Sequence, residues 1–296
     1  MNYELTFSAD TISMANTGGM ILLFAIFILG FIAVVRYSAK IMPGFVSCLT
    51  YLLLAVGALE LVMALLASIP VVNQVVYGDV LLYCVIRSLL AAVAIAASIT
   101  CSFLFFKNRA GGITLGNSMM VGIGCGLAIA IVLGMDLLSV ATVGATVNQE
   151  GLTTLFQGME AEEIESLYES LEHTASLPAY FFLLKGIMGI FEIILVTATS
   201  ILEYAVNHKG AKRTYLYIAL ADLFVVALSN AVVDYAVTNE FISMTIVAGG
   251  SVLAVCGLVF YVDKMYCGKE LASFDKLKRT PSPKGSIKKA ASKKAK

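Results

Sequence analysis

Four stretches of this sequence contain no lysine or arginine at all: the N-terminal segment and three of the gaps between its long apolar runs. The alternate gaps hold Arg36, Lys40, Lys107, Arg109, Lys209, Lys212 and Arg213, and eleven more basic residues follow Val262. Histidine is nearly absent (His173 and His208), so a histidine-built metal site or a serine–histidine pair has almost nothing to draw on. The six cysteines, Cys48, Cys84, Cys101, Cys125, Cys256 and Cys267, show no short paired spacing, which points away from a zinc ribbon or a disulfide scaffold. Charged residues make up only 14% of the chain against 59% hydrophobic, which excludes an ordinary water-facing domain.

What remains is hydrocarbon-length apolar sequence. A helix needs about 20 apolar residues to cross a bilayer. Seven runs meet that length, roughly Gly18–Val35, Phe45–Ile69, Val80–Phe106, Ser118–Val140, Ala179–Val206, Tyr215–Ala236 and Phe241–Val262. They are continuous and too long for barrel strands. The fold class is therefore all-α and polytopic, with seven transmembrane helices over residues 1–262 and a basic tail over 263–296. Lys/Arg bias in short loops sets orientation, so the N-terminus is expected outside and the tail in the cytoplasm, in a plasma-membrane multipass arrangement. Glu4 and Asp10 occupy the place where a signal peptide carries basic residues, and the first run leads straight into Arg36 and Lys40, so it reads as a span.

Two segments stand outside the bundle. Residues 148–177 carry six glutamates between Glu160 and Glu172, while Ile164, Leu167, Tyr168 and Leu171 recur at helical spacing. The pattern predicts an acidic amphipathic helix on the outer rim. The tail is rich in lysine, serine and proline, cannot bury a core, and is expected to meet anionic lipid at about 1 kcal/mol per basic residue. It has no interleaved aromatics, which argues against nucleic acid. Cys267 lies at the inner membrane edge, where acylation is conceivable.

The intramembrane charges are the candidate site. Counting residues from the helix ends places Glu60 and Arg87 at one depth on consecutive antiparallel helices, which predicts an ion pair. Lys185 and Glu192 fall at i, i+7 on the fifth span, with Thr199 on the same stripe and Glu203 nearby toward the cytosol. Asp222, Asn230 and Asp234 lie close to one stripe of the sixth, and Asp136 lies on the fourth. Together these predict a polar cleft between helices two and six in which carboxylates outnumber cations. The surplus acids must protonate, bind a cation or contact water, unless the charges serve only to fix helix register.

The run from Gly122 to Ala130, Gly-Ile-Gly-Cys-Gly-Leu-Ala-Ile-Ala, sits inside a span without a preceding strand, so it is not a nucleotide fingerprint. Gly122 and Gly126 form a GxxxG face for close helix contact, and Gly186 and Gly189 thin the fifth span similarly. The same run resembles the Gly-x-Gly-His-Gly-Gly-x-Glu-Ala helix of the YhfC-type family of intramembrane metalloproteases, distant relatives of the CAAX-protease-like and presenilin-partner membrane families. The layout from Val80 to Val262 fits that resemblance. Gly122, Gly124, Cys125 and Gly126 occupy the motif positions, but Cys125 stands where the family has its histidine and Ile129 where it has glutamate. The resemblance implies a protease scaffold without its metal chemistry that holds another membrane protein. Zinc enters only if Cys125, Glu192 and Asp222 form a substitute ligand set; otherwise no cofactor and no enzyme activity is expected. The alternative from the charges themselves is a small cation- or proton-linked transporter.

Overall fold

The computed structural model describes residues 5–107, 113–235 and 241–271, and every secondary-structure element among them is helical. Arg109 and the tail beyond Leu271 lie outside the described residues. The elements are α1 (Ala9–Tyr37), α2 (Ile41–Tyr51), a π-helical segment (Leu52–Ala58), α3 (Leu59–Ser68), a short α4 (Pro70–Val72), a second π segment (Asn73–Tyr77), α5 (Val80–Lys107), α6 (Leu115–Glu150), α7 (Ala161–Ser176), α8 (Ala179–Lys209), α9 (Thr214–Tyr235) and α10 (Phe241–Tyr266). Seven helices are long and apolar enough to cross a membrane, with α2, the first π segment and α3 counting as one. The chain is a multipass membrane protein by length and composition of its helices.

The helices outrun the apolar stretches that announce them, for local reasons. Ser8 caps α1 ahead of its apolar run, its Oγ accepting from the Thr11 N–H at 2.9 Å. Helix α6 continues to Glu150, with no proline to stop it, and one face of its extension (Ala141, Gly144 and Val147) is buried. There the Phe7 N–H donates to Asn148 Oδ1 at 2.9 Å, and Asn148 Nδ2 returns a bond to the Phe7 carbonyl at 2.8 Å. The Phe7 ring packs with Val147 and Leu152, a burial that contributes about 2 kcal/mol.

Helices α1, α6 and α8 form the centre of the bundle, α2 packs on α6, and α9 packs on α5, α8 and α10. Their approach is close because glycines face backbone. A Cβ at Gly122 would strike the Thr197 backbone of α8, and one at Gly124 the Gly44 carbonyl and Ser47 Oγ of α2. Ser118 and Ser200 lock α6 to α8 by donating to each other's backbone carbonyls at 2.7 and 2.6 Å. The GxxxG face is thus only part of the device: Gly124, between its two glycines, serves a different neighbour.

The acidic segment forms α7, opened by a capping box in which the Glu160 N–H donates to the Glu163 carboxylate at 3.1 Å. Tyr168 and Leu171 pack onto the Phe7 cluster, so α7 is docked at the end of the bundle that holds the start of α1 and the end of α6. At the opposite, basic end, the residues after α10 fold back. The Leu271 carbonyl accepts from Arg36 Nη2 at 2.8 Å and Tyr37 Oη at 2.9 Å, its N–H donates to buried Asp263, and Lys209 pairs with Glu270 at 2.7 Å. Cys267 is buried at this junction, and burial holds its thiol above its ordinary pKa, which lowers its thiolate population and reactivity.

Candidate functional site

The cleft is built from the middle of five spans. Tyr51, the last residue of α2, reaches across to α8, where its hydroxyl donates to Glu192 Oε1 at 3.1 Å. From α9, Asn230 Nδ2 approaches Glu192 Oε2 at 3.4 Å. Both partners are neutral, so among the described residues no basic side chain pairs with this carboxylate. It lines a cavity of about 260 Å³, whose other walls are largely apolar side chains of the second span, α5, α6 and α9. A mostly apolar chamber with a few polar groups is the usual form of a small-ligand site. Ala55 and Val56 of the first π segment line it, and π segments recur where a helix serves a site.

Charged groups close the end of this cavity nearer α7. Lys185 contacts Asp136 Oδ2 and Asp234 Oδ1, each at 3.2 Å, and so ties α8 to α6 and α9. Arg87 pairs with Glu60, donates from Nη1 to the Tyr83 hydroxyl oxygen at 3.3 Å, and lies over the Tyr235 ring at 5.5 Å. A second space of about 290 Å³ lies beyond, lined by His173 and Thr174 of α7 and by Asp136. Lys185, Asp234 and Tyr235 line both spaces, so the Lys185 cluster is their common wall. Four carboxylates (Glu60, Asp136, Glu192, Asp234) thus share this region with two cations, a formal charge of −2 when all are ionised.

Glu60 does not line the cavity. Its side chain is 56% exposed on the flank of the bundle, against 20% for Arg87, so the pair straddles inside and outside. We expect Arg87→Ala to lower folded yield more than Arg87→Ala combined with Glu60→Gln, because the single change strands a carboxylate at membrane depth. Coupling of about 1 kcal/mol is expected from a double-mutant cycle, modest because the pair is partly exposed; zero coupling removes the pair as a stabilising element.

Asp222 is placed elsewhere. It lies near Ser251 of α10 and lines none of the spaces described, so it is not part of the cleft. Cys125 is fully buried on α6, its thiol directed to the Ser47 carbonyl at 3.9 Å. Cys125, Glu192 and Asp222 are not gathered into one group, and among the described residues no three His, Cys, Asp or Glu side chains are placed to hold a metal ion.

One side chain of the cleft escaped the sequence reading, and another was seen only as an acid near the basic end of α8. Tyr51 is one of many aromatics in apolar sequence, and nothing marks it until α2 is seen against α8. Glu203 had a signal: it lies eleven residues from Glu192, three helical turns along one face of α8. It is only 6% exposed and, with Thr100, lines a further cavity of about 360 Å³ at the basic end. No family model, curated protein or solved structure matches the chain.

Proposed function

We propose that this chain is a cation- or proton-linked membrane transporter, oriented with α7 outside and its basic tail against the anionic inner leaflet. The observation that carries this reading is Glu192: a carboxylate at the middle of the bundle, facing a cavity, held by the neutral donors Tyr51 and Asn230. Charge buried in a membrane span is costly and is retained where it serves an ion or proton path. The π-helical wall beside it supplies irregular helical backbone where a bound solute needs polar contacts. Arg87 and Lys185 at the cavity wall are each paired with carboxylates, whereas Glu192 has no basic partner among the described residues, so the solute that fits is a small cation, and a proton is its natural exchange partner.

The test is flux into vesicles reconstituted with the purified protein. An imposed gradient of sodium, potassium or a small alkylammonium ion should drive proton movement read by an internal pH dye. Glu192→Gln should reduce that flux by about tenfold or more while leaving folded yield close to wild type. Undiminished flux in Glu192→Gln overturns the reading.

Glu60 favours a second reading, in which the chain holds another membrane segment. A carboxylate half-exposed on the flank of an apolar span is satisfied best by a covering partner. This is the role implied by the resemblance to a protease scaffold without its metal ligands. Cross-linking from the exposed face of α3 in native membranes, lost in Glu60→Ala, is the expected result.

A further inference from the structure

The two buried carboxylates of α8 stand in separate cavities, and the three helices between them repeat one pattern. On α8, Glu192 lines the central cavity and Glu203 the basic-end cavity, with Thr199 between them on the same face. On α5, Ile95 lines the first and Phe103 the second, with Ile99 four residues from each. On α9, Ala227 lines the first and Leu216 the second, with Leu223 between at helical spacing. Ile99 and Leu223 are fully buried in the continuous core. The two carboxylates are separated by about 16 Å along the axis, from eleven residues at 1.5 Å each.

We propose that Glu203 is a second proton-accepting site of this chain, reached from the basic end and separated from Glu192 by one apolar layer that includes Ile99 and Leu223. The inference rests on the transport reading and adds to it the second station and the barrier. Glu203 fits the role by its surroundings. It is nine-tenths buried, shares its cavity wall with Thr100, and among the described residues no basic side chain forms an ion pair with it. Among the described residues, the titratable and charged groups around it are Cys125 of α6, near enough for electrostatic interaction, and His208, Arg213 and Tyr217 at the cavity wall; α10 contributes none to that wall. His208 stacks on the Tyr204 ring at 5.6 Å, which holds the imidazole at the cavity. Proton binding here is a simple association: the Glu203 carboxylate takes up one proton from the basic-end cavity and becomes the neutral acid. A neutral acid and a carboxylate at either side of one thin apolar layer are the parts a stepwise proton path needs, and the layer prevents a continuous leak.

The experiment uses the full chain in vesicles and two readouts. Infrared difference spectra between acid and neutral pH should show a protonated-carboxyl C=O band that is lost in Glu203→Gln and kept, displaced, in Glu203→Asp. Proton flux should fall about tenfold in Glu203→Gln, and Ile99→Ala combined with Leu223→Ala should raise the undriven proton leak by about as much. If Glu192→Gln stops flux while Glu203→Gln alters neither flux nor the band, Glu203 is a structural acid and this inference falls alone. If wild-type vesicles move no protons, the transport reading falls. The Glu203 assignment is then decided by the band: its loss in Glu203→Gln sustains it, and its persistence overturns it.

Discussion

Replacing Gly124 with alanine is expected to remove most of the folded protein, although the change adds one methyl group to a helix. That methyl would clash with the Gly44 carbonyl and Ser47 Oγ, both on α2; the carbonyl is backbone and cannot swing aside, and Ser47 Oγ is buried and bonded to it. Helix α2 would have to move away from α6, carrying Tyr51 off Glu192 at the other end of the same helix. Overpacking of a tight core costs about 1–3 kcal/mol, and rigid backbone on the receiving side puts this case at about 3 kcal/mol. The control is Gly30→Ala on α1, where an added methyl meets nothing and helix propensity favours alanine by up to about 1 kcal/mol. Thermal midpoints of the monodisperse peak in detergent separate the two: a large drop for Gly124→Ala and none for Gly30→Ala. Equal midpoints would show that the α2–α6 contact is loose.

Lys185→Met should be the most damaging change to the cleft. The methionine keeps the length and apolar stem but leaves Asp136 and Asp234 on neighbouring helices with no cation between them. Removing one member of a fully buried pair costs about 3–5 kcal/mol; Asp136 is partly exposed, so about 2 kcal/mol is expected here. Asp234→Asn in the Lys185→Met background should restore much of the loss, since the amide needs no counter-ion. Because Lys185 is in the wall between the α7-side space and the central cavity, the single variant should also admit solutes more readily from that side. Unchanged stability in Lys185→Met would mean that the two aspartates are hydrated where they stand.

The spans were legible because hydrocarbon thickness imposes a minimum length on apolar runs, and all seven helices grow from those runs. Their ends were not, because Ser8 and Asn148 act through contacts with chain over a hundred residues away or through caps outside the apolar run. The depth count that levelled Glu60 with Arg87 used only helical rise, and the two side chains meet. Lys185 was seen as a charge on a stripe, but its two partners come from α6 and α9, and helical periodicity says nothing of which helices are neighbours. Asp222 shows the same limit from the other side: it belongs to a stripe with Asn230 and Asp234, yet lines neither of the spaces those two border, since a span a few turns long offers faces to more than one neighbour. Gly122 and Gly126 read correctly as a contact face toward α8, while Gly124 was read only as a motif position.

The first π segment has a consequence for the angular phase of the second span. Tyr51 and Glu60 flank Leu52–Ala58, and each has a fixed target: Tyr51 bonds Glu192 in the core, and Glu60 pairs with Arg87 at the flank. In an uninterrupted α-helix each residue turns the chain by roughly 100°, so the angle between these two side chains would follow from their spacing alone. The wider π turn under-winds the helix and sets that angle independently. Deleting one residue within Leu52–Ala58 would let the segment relax toward ordinary α-helix and rotate one half of the span against the other. Only one of the two contacts would then stay aligned. The segment thus lets a single span present Tyr51 to the cavity and Glu60 to the flank at once.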